Sequence, residues 1–258
     1  MLDYDFMRHA FAAAGIVAVL AGLVGYFLVL RGQAFAGHAL SHVGFAGATG
    51  AVLLGVSPLA GMLGVTVLGG VLMGALGEKL VQRDIAIGVI LTMSLGLGLL
   101  FLHFFTAYAT AATSLLFGDV LGVDLPTIYA LAGLAALTLA VLGFISRPLL
   151  FASLNPELAE AKGVNLRALG LVFLGLVGLT TAASAQIVGV LLVFALMVGP
   201  AATAQRLTVR IAPGLALAAG LALTEAWSGI ALSYFTDWPA SFWIASLSGG
   251  VYLVSLAI

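Results

Sequence analysis

The spacing of two histidines is the feature of this sequence that most directly suggests chemistry. They lie in Gly37-His38-Ala39-Leu40-Ser41-His42, within a stretch from Gly32 to Gly77 that contains no Lys, Arg, Asp or Glu. Residues four apart share one face of a helix, with Cβ atoms roughly 6 Å apart. A pair of neutral imidazoles at that spacing can bind one transition-metal ion. Because ionisable side chains inside a membrane are costly and commonly functional, the pair predicts a metal path through a bilayer.

The composition indicates that helices spanning a membrane position these histidines. The chain is 63% hydrophobic and only 7% charged, whereas a soluble domain carries about 25% charged residues. The net charge of −1 gives no indication of nucleic-acid binding, and the absence of cysteine excludes disulfides, thiolate metal sites and iron–sulfur clusters. The acidic N-terminus does not resemble a cleaved signal peptide. We therefore predict an all-α polytopic membrane protein, with residues 1–258 forming a single transmembrane domain.

About 20 apolar residues are needed to cross a hydrocarbon core. Charges, prolines and polar clusters divide the chain into apolar segments of about that length. The predicted spans are 10–30, 38–56, 59–78, 85–106, 125–146, 167–184, 187–207, 211–235 and 240–257. The expected total is eight or nine spans.

The basic residues predict the orientation. With nine spans, eight of the nine Lys and Arg residues fall on one side and only Arg8 falls on the other, which is a strong positive-inside signal. This places the N-terminus outside and the C-terminus inside. A further span at 107–124 would destroy the bias, so we predict that this region is a short helix or re-entrant piece on the outer side, covered by protein or lining a water-filled cavity.

The inner segment 150–165 predicts a short helix on the cytoplasmic surface. Asn155 can cap a helix, Pro156 suits its first position, and Glu157 favours the positive end of the helix dipole. Gly163 then ends the helix. Leu158 and Ala161 would lie on its apolar face, together with Leu154. The segment is either an ordinary loop between spans or a helix that docks into a groove on a partner.

Other polar residues are weaker candidates. Glu225, the one acid buried within a late span, needs a partner or water; His103, near the outer end of its span, is either an interfacial residue or part of the path. Asp119, Asp124 and Asp237 would give the outer side an acidic face, which could attract cations or dock a partner, or simply be solvated loop charges.

The sequence contains no Gly-x-x-x-x-Gly-Lys-[Ser/Thr] motif and no His-Glu-x-x-His motif. The chain is therefore not expected to bind and hydrolyse ATP itself, or to be a zinc peptidase. No plausible arrangement of nucleophile and base is present, so we predict that the protein is not an enzyme.

Several motifs, in consistent order along nearly the whole chain, resemble the permease subunits of ABC importers for zinc, manganese and iron. Asn-Pro-Glu-Leu-Ala at 155–159, followed by Gly163-Val164, is similar to the family's coupling segment, which typically has Asp-Pro-Glu-Leu-Ala. Residues 31–47 resemble its Gly-Asp-Ala-(apolar)-Ser-His pattern, with Ser41 and His42 matching. Residues 188–204 resemble a late span, and the segments 83–88 and 116–122 also fit.

The resemblance implies a permease fold of the type II ABC-importer kind in a bacterial cytoplasmic membrane. It also implies a second copy of the chain, two ABC ATP-binding subunits that bind the ATP, and a periplasmic or extracellular metal-binding protein. No tightly bound cofactor is expected, only the transported ion. Asn155, Pro156, Glu157, Leu158, Ala159 and Gly163 would couple the chain to the ATP-binding subunits, and Ser41 joins the two histidines on the metal path.

One departure from the family pattern concerns the choice of metal. His38 stands where the family usually has Asp, so a hard anionic ligand is replaced by a borderline nitrogen ligand. On ligand softness, this favours Zn²⁺ over Mn²⁺ or Fe²⁺.

The sequence alone leaves three other functions open. A related ABC permease for cobalamin or siderophore chelates is disfavoured by the short chain and the histidine pair. An ion-coupled secondary metal transporter would need no docking helix and would usually contain more buried carboxylates. A haem-binding electron-transfer protein would need His38 or His42 to pair with a distant histidine.

Overall fold

The protein is a bundle of helices. The computed structural model describes residues 4–75, 80–104 and 115–257, and these residues contain no strand. The helices are α1 (Asp5–Leu30), α2 (Ala34–Leu53), α3 (Pro58–Ala75), α4 (Leu80–His103), α5 (Leu125–Leu154), α6 (Pro156–Ala161), α7 (Leu166–Val188), α8 (Val193–Leu207), α9 (Ile211–Thr236) and α10 (Ala240–Leu256).

Two groups of helices meet at a common centre. α2 packs on α3 and α4, and α3 packs on α7, whereas α8, α9 and α10 pack on one another and, for α8 and α9, on α1. α1 also contacts α7, and α5 lies against both. The most apolar parts of α1 and α7 are each 67% buried, compared with 17% for α4. α1 and α7 therefore form the core, and α4 lies on the rim.

Length and hydropathy support a multi-pass membrane protein. Within the described residues, six helices are long and apolar enough to cross a membrane: α1, α3, α4, α5, α7 and α9. α10 is apolar but shorter, at 17 residues. α2 and α8 are also predicted spans, but they do not meet both conditions, so the total of eight or nine spans stays a prediction.

Glycines let helix backbones approach closely. Gly70 on α3 faces the carbonyl of Leu174 on α7, and Gly25 on α1 faces the carbonyl of Met197 on α8; a Cβ atom at either position would overlap that carbonyl. Small residues serve this purpose in membranes because lipid supplies little hydrophobic drive for helix association. Van der Waals contact between backbones therefore holds both groups to the centre.

The predicted end of the fifth span is wrong. The sequence predicts it at residue 146, but α5 continues as helix through Pro148 to Leu154. Proline removes one backbone donor and commonly ends a helix, yet here six more helical residues follow it. The predicted helix at 156 does begin where expected, capped by the Asn155 side chain, which accepts a hydrogen bond from the Leu158 amide at 3.0 Å.

The predicted boundary between the sixth and seventh spans is also wrong. α7 runs to Val188, and α8 begins only at Val193, because Gly189 has a φ of 80° and breaks the helix. The intervening loop pairs with the segment at 115–118: the Val190 amide donates to the Leu115 carbonyl, and the Leu191 amide donates to the Leu116 carbonyl, both at 3.3 Å. The amides of the loop after α7 and the carbonyls of the 115–118 segment thus provide each other's hydrogen-bond partners.

The segment at 115–118 belongs to the predicted re-entrant piece at 107–124, of which residues 107–114 lie outside the described residues. The described part has a helical turn at 115–117 followed by non-helical backbone up to Asp124. Gly118 has a φ of 77° and lies against the backbone of Ile187 and Gly189. The segment is therefore packed against the end of α7.

Gly70 provides a test of this packing, with Gly64 on the same helix as its control. Gly70→Ala should lower the free energy of unfolding by about 1–3 kcal/mol, because the new methyl group overpacks the contact with α7. A Cβ atom at Gly64 meets nothing within 4 Å, so Gly64→Ala should be neutral or stabilise by up to about 1 kcal/mol through helix propensity. Thermal unfolding of both purified variants in detergent measures the difference, and equal melting temperatures would contradict the close packing.

Candidate metal pathway and coupling segment

The structure places the two histidines side by side in the second and third turns of α2. Their ring centroids are 5.0 Å apart, with the ring planes at 86° to each other. Both side chains are half-buried, while their helical neighbours Ala39 and Leu40 are fully buried. Because Zn–N bonds are about 2.0–2.1 Å long, modest rotation of the two side chains brings a nitrogen from each ring to one ion.

His42 and Ser41, two polar side chains of this turn, differ in their hydrogen bonding. Within the part of the chain that the structure describes, His42 Nδ1 is buried without a hydrogen-bond partner. The Ser41 hydroxyl donates to the His38 carbonyl at 2.7 Å, and its side chain is buried. A buried nitrogen with no partner is costly, so a ligand that used it would recover that cost. Ser41 already has an intrahelical bond.

An aromatic ring completes the surroundings of His38. The Phe194 ring lies 5.4 Å from the His38 ring, at 79°. Phe194 belongs to the first turn of α8, directly after the loop that follows Gly189. Phe194 is not among the predicted site residues, because a phenylalanine in an apolar run carries no signal of its own. The helix break at Gly189 is the one sequence feature that indicates where α8 begins and hence where Phe194 lies.

Glu225 lies apart from the histidine pair. It is only 3% exposed on α9, and neither carboxylate oxygen finds a hydrogen-bond partner among the described residues. Ser248 on α10 is near enough to interact with it, but the Ser248 hydroxyl donates instead to the Ala195 carbonyl of α8 at 3.0 Å. Glu225 therefore faces the junction of α8, α9 and α10.

His103 is also distant from the pair. α2 and α4 run parallel, with Phe45 against Gly98 and Phe101 against Gly50. His103, two residues beyond Phe101, is exposed and contacts the ring of Phe104 at 5.6 Å. It lies more than two turns along the bundle from His42. Any role on the metal path would be at a separate position.

One copy of the chain gives an incomplete metal site. Across residues 4–75, 80–104 and 115–257, no group of three or more His, Asp, Glu or Cys side chains converges on a common point. Structural zinc sites usually have four protein ligands. The histidine pair alone therefore fits a transient contact better than a resident ion.

The three predicted outer aspartates are all exposed, and each serves a local structure. Asp119 accepts a hydrogen bond from the Gly122 amide at 3.0 Å. Asp124 caps α5 by accepting from the Thr127 amide at 3.0 Å, and hydrogen bonds from Thr127 hold the pKa of its carboxyl below the usual range. Asp237 ends α9 with a φ of 56°. These roles account for the residues without a ligand and leave their charges facing solvent.

The predicted coupling segment forms an exposed corner between α5 and α7. Leu158 is 47% exposed, and Asn155, Pro156 and Glu157 are exposed as well. Ala159 is instead fully buried and anchors α6 to the bundle. Its carbonyl also accepts a hydrogen bond from the Val164 amide at 3.0 Å, and Gly163 makes the following turn with a φ of 85°. The corner therefore projects from the bundle and is held to it through Ala159.

The long apolar helices are those of a multi-pass integral membrane protein. The chain belongs to the ABC 3 transport family, whose sequence model matches residues 3–258, as the motifs predicted. It is therefore a permease subunit of an ABC transporter and is not itself an ATPase.

Curated relatives and a solved structure agree with this assignment. The chain is 31% identical over 238 residues to the manganese transport system membrane protein MntC of Halalkalibacterium halodurans, covering 92% of this chain and 82% of that protein. It is 28% identical over 260 residues to the manganese import system permease protein ScaB of Streptococcus gordonii, covering 99% and 92%. PsaBC from Streptococcus pneumoniae in complex with Fab has a similar fold, with a TM-score of 0.88, 26% identity and coverage of 98% of this chain and 91% of that one.

The geometry of the histidine pair can be tested by metal binding to the purified protein. His42→Ala and His38→Ala should each weaken Zn²⁺ binding by at least about tenfold, the lower end of losses seen even for residues that only support a metal ligand. Gly64→Ala, in open space on the neighbouring helix α3, is the control and should leave the affinity near the wild-type value. Titration calorimetry in detergent measures all three, and wild-type affinity in both histidine variants would contradict the site.

Proposed function

We propose that this chain is the membrane-spanning subunit of an ATP-driven importer that carries a divalent transition metal past His38 and His42. The observation that carries the proposal is the partnerless, buried Nδ1 of His42 beside a second imidazole on α2. The family assignment supports the transport class, and relatives named for manganese transport support a metal as the cargo.

The partners follow from the same proposal. A permease of this kind works with an ABC ATP-binding subunit, a metal-binding protein on the outer side, and a second copy of the chain. Two copies related by a two-fold axis would bring four imidazoles together, which supplies the ligands that one copy lacks. The N-terminus would be outside and the C-terminus inside the cytoplasmic membrane of a bacterium.

Alternating access is the proposed mechanism. ATP-driven closure of the ATP-binding subunits would move α6, tilt the spans attached to it and open the path past the histidines to each side in turn. Ions must bind tightly enough to enter and weakly enough to leave. Ligands divided between two copies meet that condition, because a small tilt separates them.

Zn²⁺ is the proposed cargo, with Mn²⁺ as the second candidate. The pair offers two neutral nitrogen ligands and no carboxylate, which favours zinc on ligand softness and on the order of metal affinities. The manganese relatives favour the second candidate. An ion-coupled secondary transporter no longer fits, because the chain belongs to an ABC transport family.

Uptake by cells expressing the wild-type chain or its variants tests both the path and the metal. His38→Ala and His42→Ala should reduce Zn²⁺ uptake to background at normal expression. His38→Asp should retain transport and shift the ratio of Mn²⁺ to Zn²⁺ uptake towards manganese, because a hard carboxylate replaces an imidazole.

Radiolabelled metals supplied together measure the ratio directly. Gly64→Ala, on a neighbouring helix in open space, is the control. Wild-type Zn²⁺ uptake by both alanine variants would exclude the histidine path, and an unchanged metal ratio in His38→Asp would exclude the ligand argument for zinc.

Cysteine labelling tests the coupling helix and the orientation together, because the chain has no native cysteine. Leu158→Cys on α6 should react with a membrane-impermeant maleimide in inside-out vesicles only, and the ATP-binding subunit should protect it. Val209→Cys, in the loop between α8 and α9 and 98% exposed, is the matched control on the same side and should react whether or not that subunit is present.

Two results would contradict these assignments. Reaction of either cysteine in right-side-out vesicles would overturn the orientation. Equal reaction of Leu158→Cys with and without the ATP-binding subunit would overturn the coupling role of α6.

A further inference from the structure

Arg31 lies where three parts of the bundle meet at the end of α1. Its Nη1 donates to the Ser153 hydroxyl on α5 at 3.4 Å, and its Nε donates to Gln33 Oε1 at 3.4 Å. The guanidinium also stands over the ring of Phe173 on α7, with Cζ 5.5 Å from the ring centroid. One half-buried side chain thus contacts α5, α7 and the turn that leads into α2.

The contact with α5 is a contact with the base of the coupling corner. Ser153 precedes Asn155, the residue that caps α6, by two positions. Its hydroxyl donates to the Leu149 carbonyl at 2.6 Å, which leaves its lone pairs free to accept from Arg31. Because only Asn155 separates the end of α5 from the start of α6, and its amide donates to the Phe151 carbonyl of α5 at 2.9 Å, a displacement of α6 also displaces the end of α5.

The contact with Gln33 leads to the histidines. Gln33 is 7% exposed, and its carbonyl accepts hydrogen bonds from the Ala36 amide at 3.0 Å and the Gly37 amide at 3.3 Å. These bonds form the first turn of α2, and His38 follows directly. A displacement of Gln33 therefore moves the helix end that carries the histidine pair.

The structure leaves room for such a movement. A cavity of about 800 Å³ opens beside Arg31 and is also lined by Gln33, Glu157, Glu160 and Arg167. It separates α6 from the turn before α2. Since the two elements do not pack on each other across this space, a displacement of α6 needs another route to α2.

We propose that Arg31 is a positioning residue that transmits the movement of α6 and the end of α5 to α2, and so to His38 and His42. The inference rests on the proposed transport function. Arginine suits the task because its planar group carries five donors in a fixed fork and also stacks on aromatic rings. A lysine at this position would keep the charge but could not hold Ser153, Gln33 and Phe173 at once.

The test is the number of metal ions transported per ATP hydrolysed, measured in proteoliposomes that contain the chain with its ATP-binding subunit and metal-binding protein. Zn²⁺ and Mn²⁺ are the ions used. Arg31→Ala should lower this ratio by about tenfold, within the range typical of coupling between two sites, while ATP hydrolysis continues. Ser153→Ala should lower the ratio by less than Arg31→Ala does. The double variant should have the same ratio as Arg31→Ala, because Arg31→Ala already removes the Arg31–Ser153 contact that Ser153→Ala removes.

Arg147→Ala is the matched control, since Arg147 is an exposed arginine on α5 outside the junction; its ratio should match the wild type. An unchanged ratio in Arg31→Ala would overturn the proposal. If Arg31→Ala loses ATP hydrolysis and assembly as well, Ser153→Ala decides, and a wild-type ratio there would also overturn it. Absence of metal transport by the wild-type complex would instead refute the proposed function itself.

Discussion

The structure depends on one constraint: in hydrocarbon, every backbone N–H and C=O must find its partner within the protein. Helices satisfy it along most of the chain. Where the helix breaks at Gly189, the amides of Val190 and Leu191 donate to the carbonyls of Leu115 and Leu116. The loop after α7 and the segment before α5 thus form one unit, and its geometry fixes where α8 begins and where Phe194 meets His38.

The same constraint applies to the buried polar side chains. Thr49, Thr66 and Thr180 each donate to a carbonyl four residues earlier on their own helix. Other buried groups have no hydrogen-bond partner among the described residues: His42 Nδ1, the hydroxyls of Thr138, Ser184 and Thr203, and the carboxylate of Glu225. His42 differs from the three hydroxyls because a second imidazole lies 5.0 Å away on the same helix, so that one metal ion can contact both rings.

Much of the fold could be predicted because the membrane simplifies the pattern. Apolar runs bounded by charges located α1, α3 and α9, and the Asn-Pro signal located α6. The errors fell where local sequence misled. Ser146-Arg147-Pro148 resembles a loop, yet α5 passes through it, and Gly189-Val190-Leu191-Leu192 resembles a span, yet it is a loop. Hydropathy does not report the backbone angle at Gly189, which only packing against Gly118 explains.

Only the local part of the candidate site could be predicted from the sequence. Spacing alone placed His38 and His42 on one face, because helical geometry is local. The ring of Phe194 and the contacts of Arg31 with Ser153 and Phe173 join residues far apart in the sequence. No periodicity encodes such pairs, so only the packed structure reveals them. The separation of Glu225 from the histidines likewise depends on which side of α8 faces α10.

The length of α8 has a consequence for the electrical work of transport. Fifteen residues rise about 22 Å at 1.5 Å each, whereas the hydrocarbon core is about 30 Å thick. If α8 crosses the membrane as predicted, non-helical backbone makes up the difference, and such backbone is tolerated at depth only beside protein or water. Wherever water fills that space, the membrane voltage falls across a layer thinner than the bilayer. A divalent ion would then meet most of the field beside the loop at 189–192, and the contact with Phe194 places His38 next to that loop.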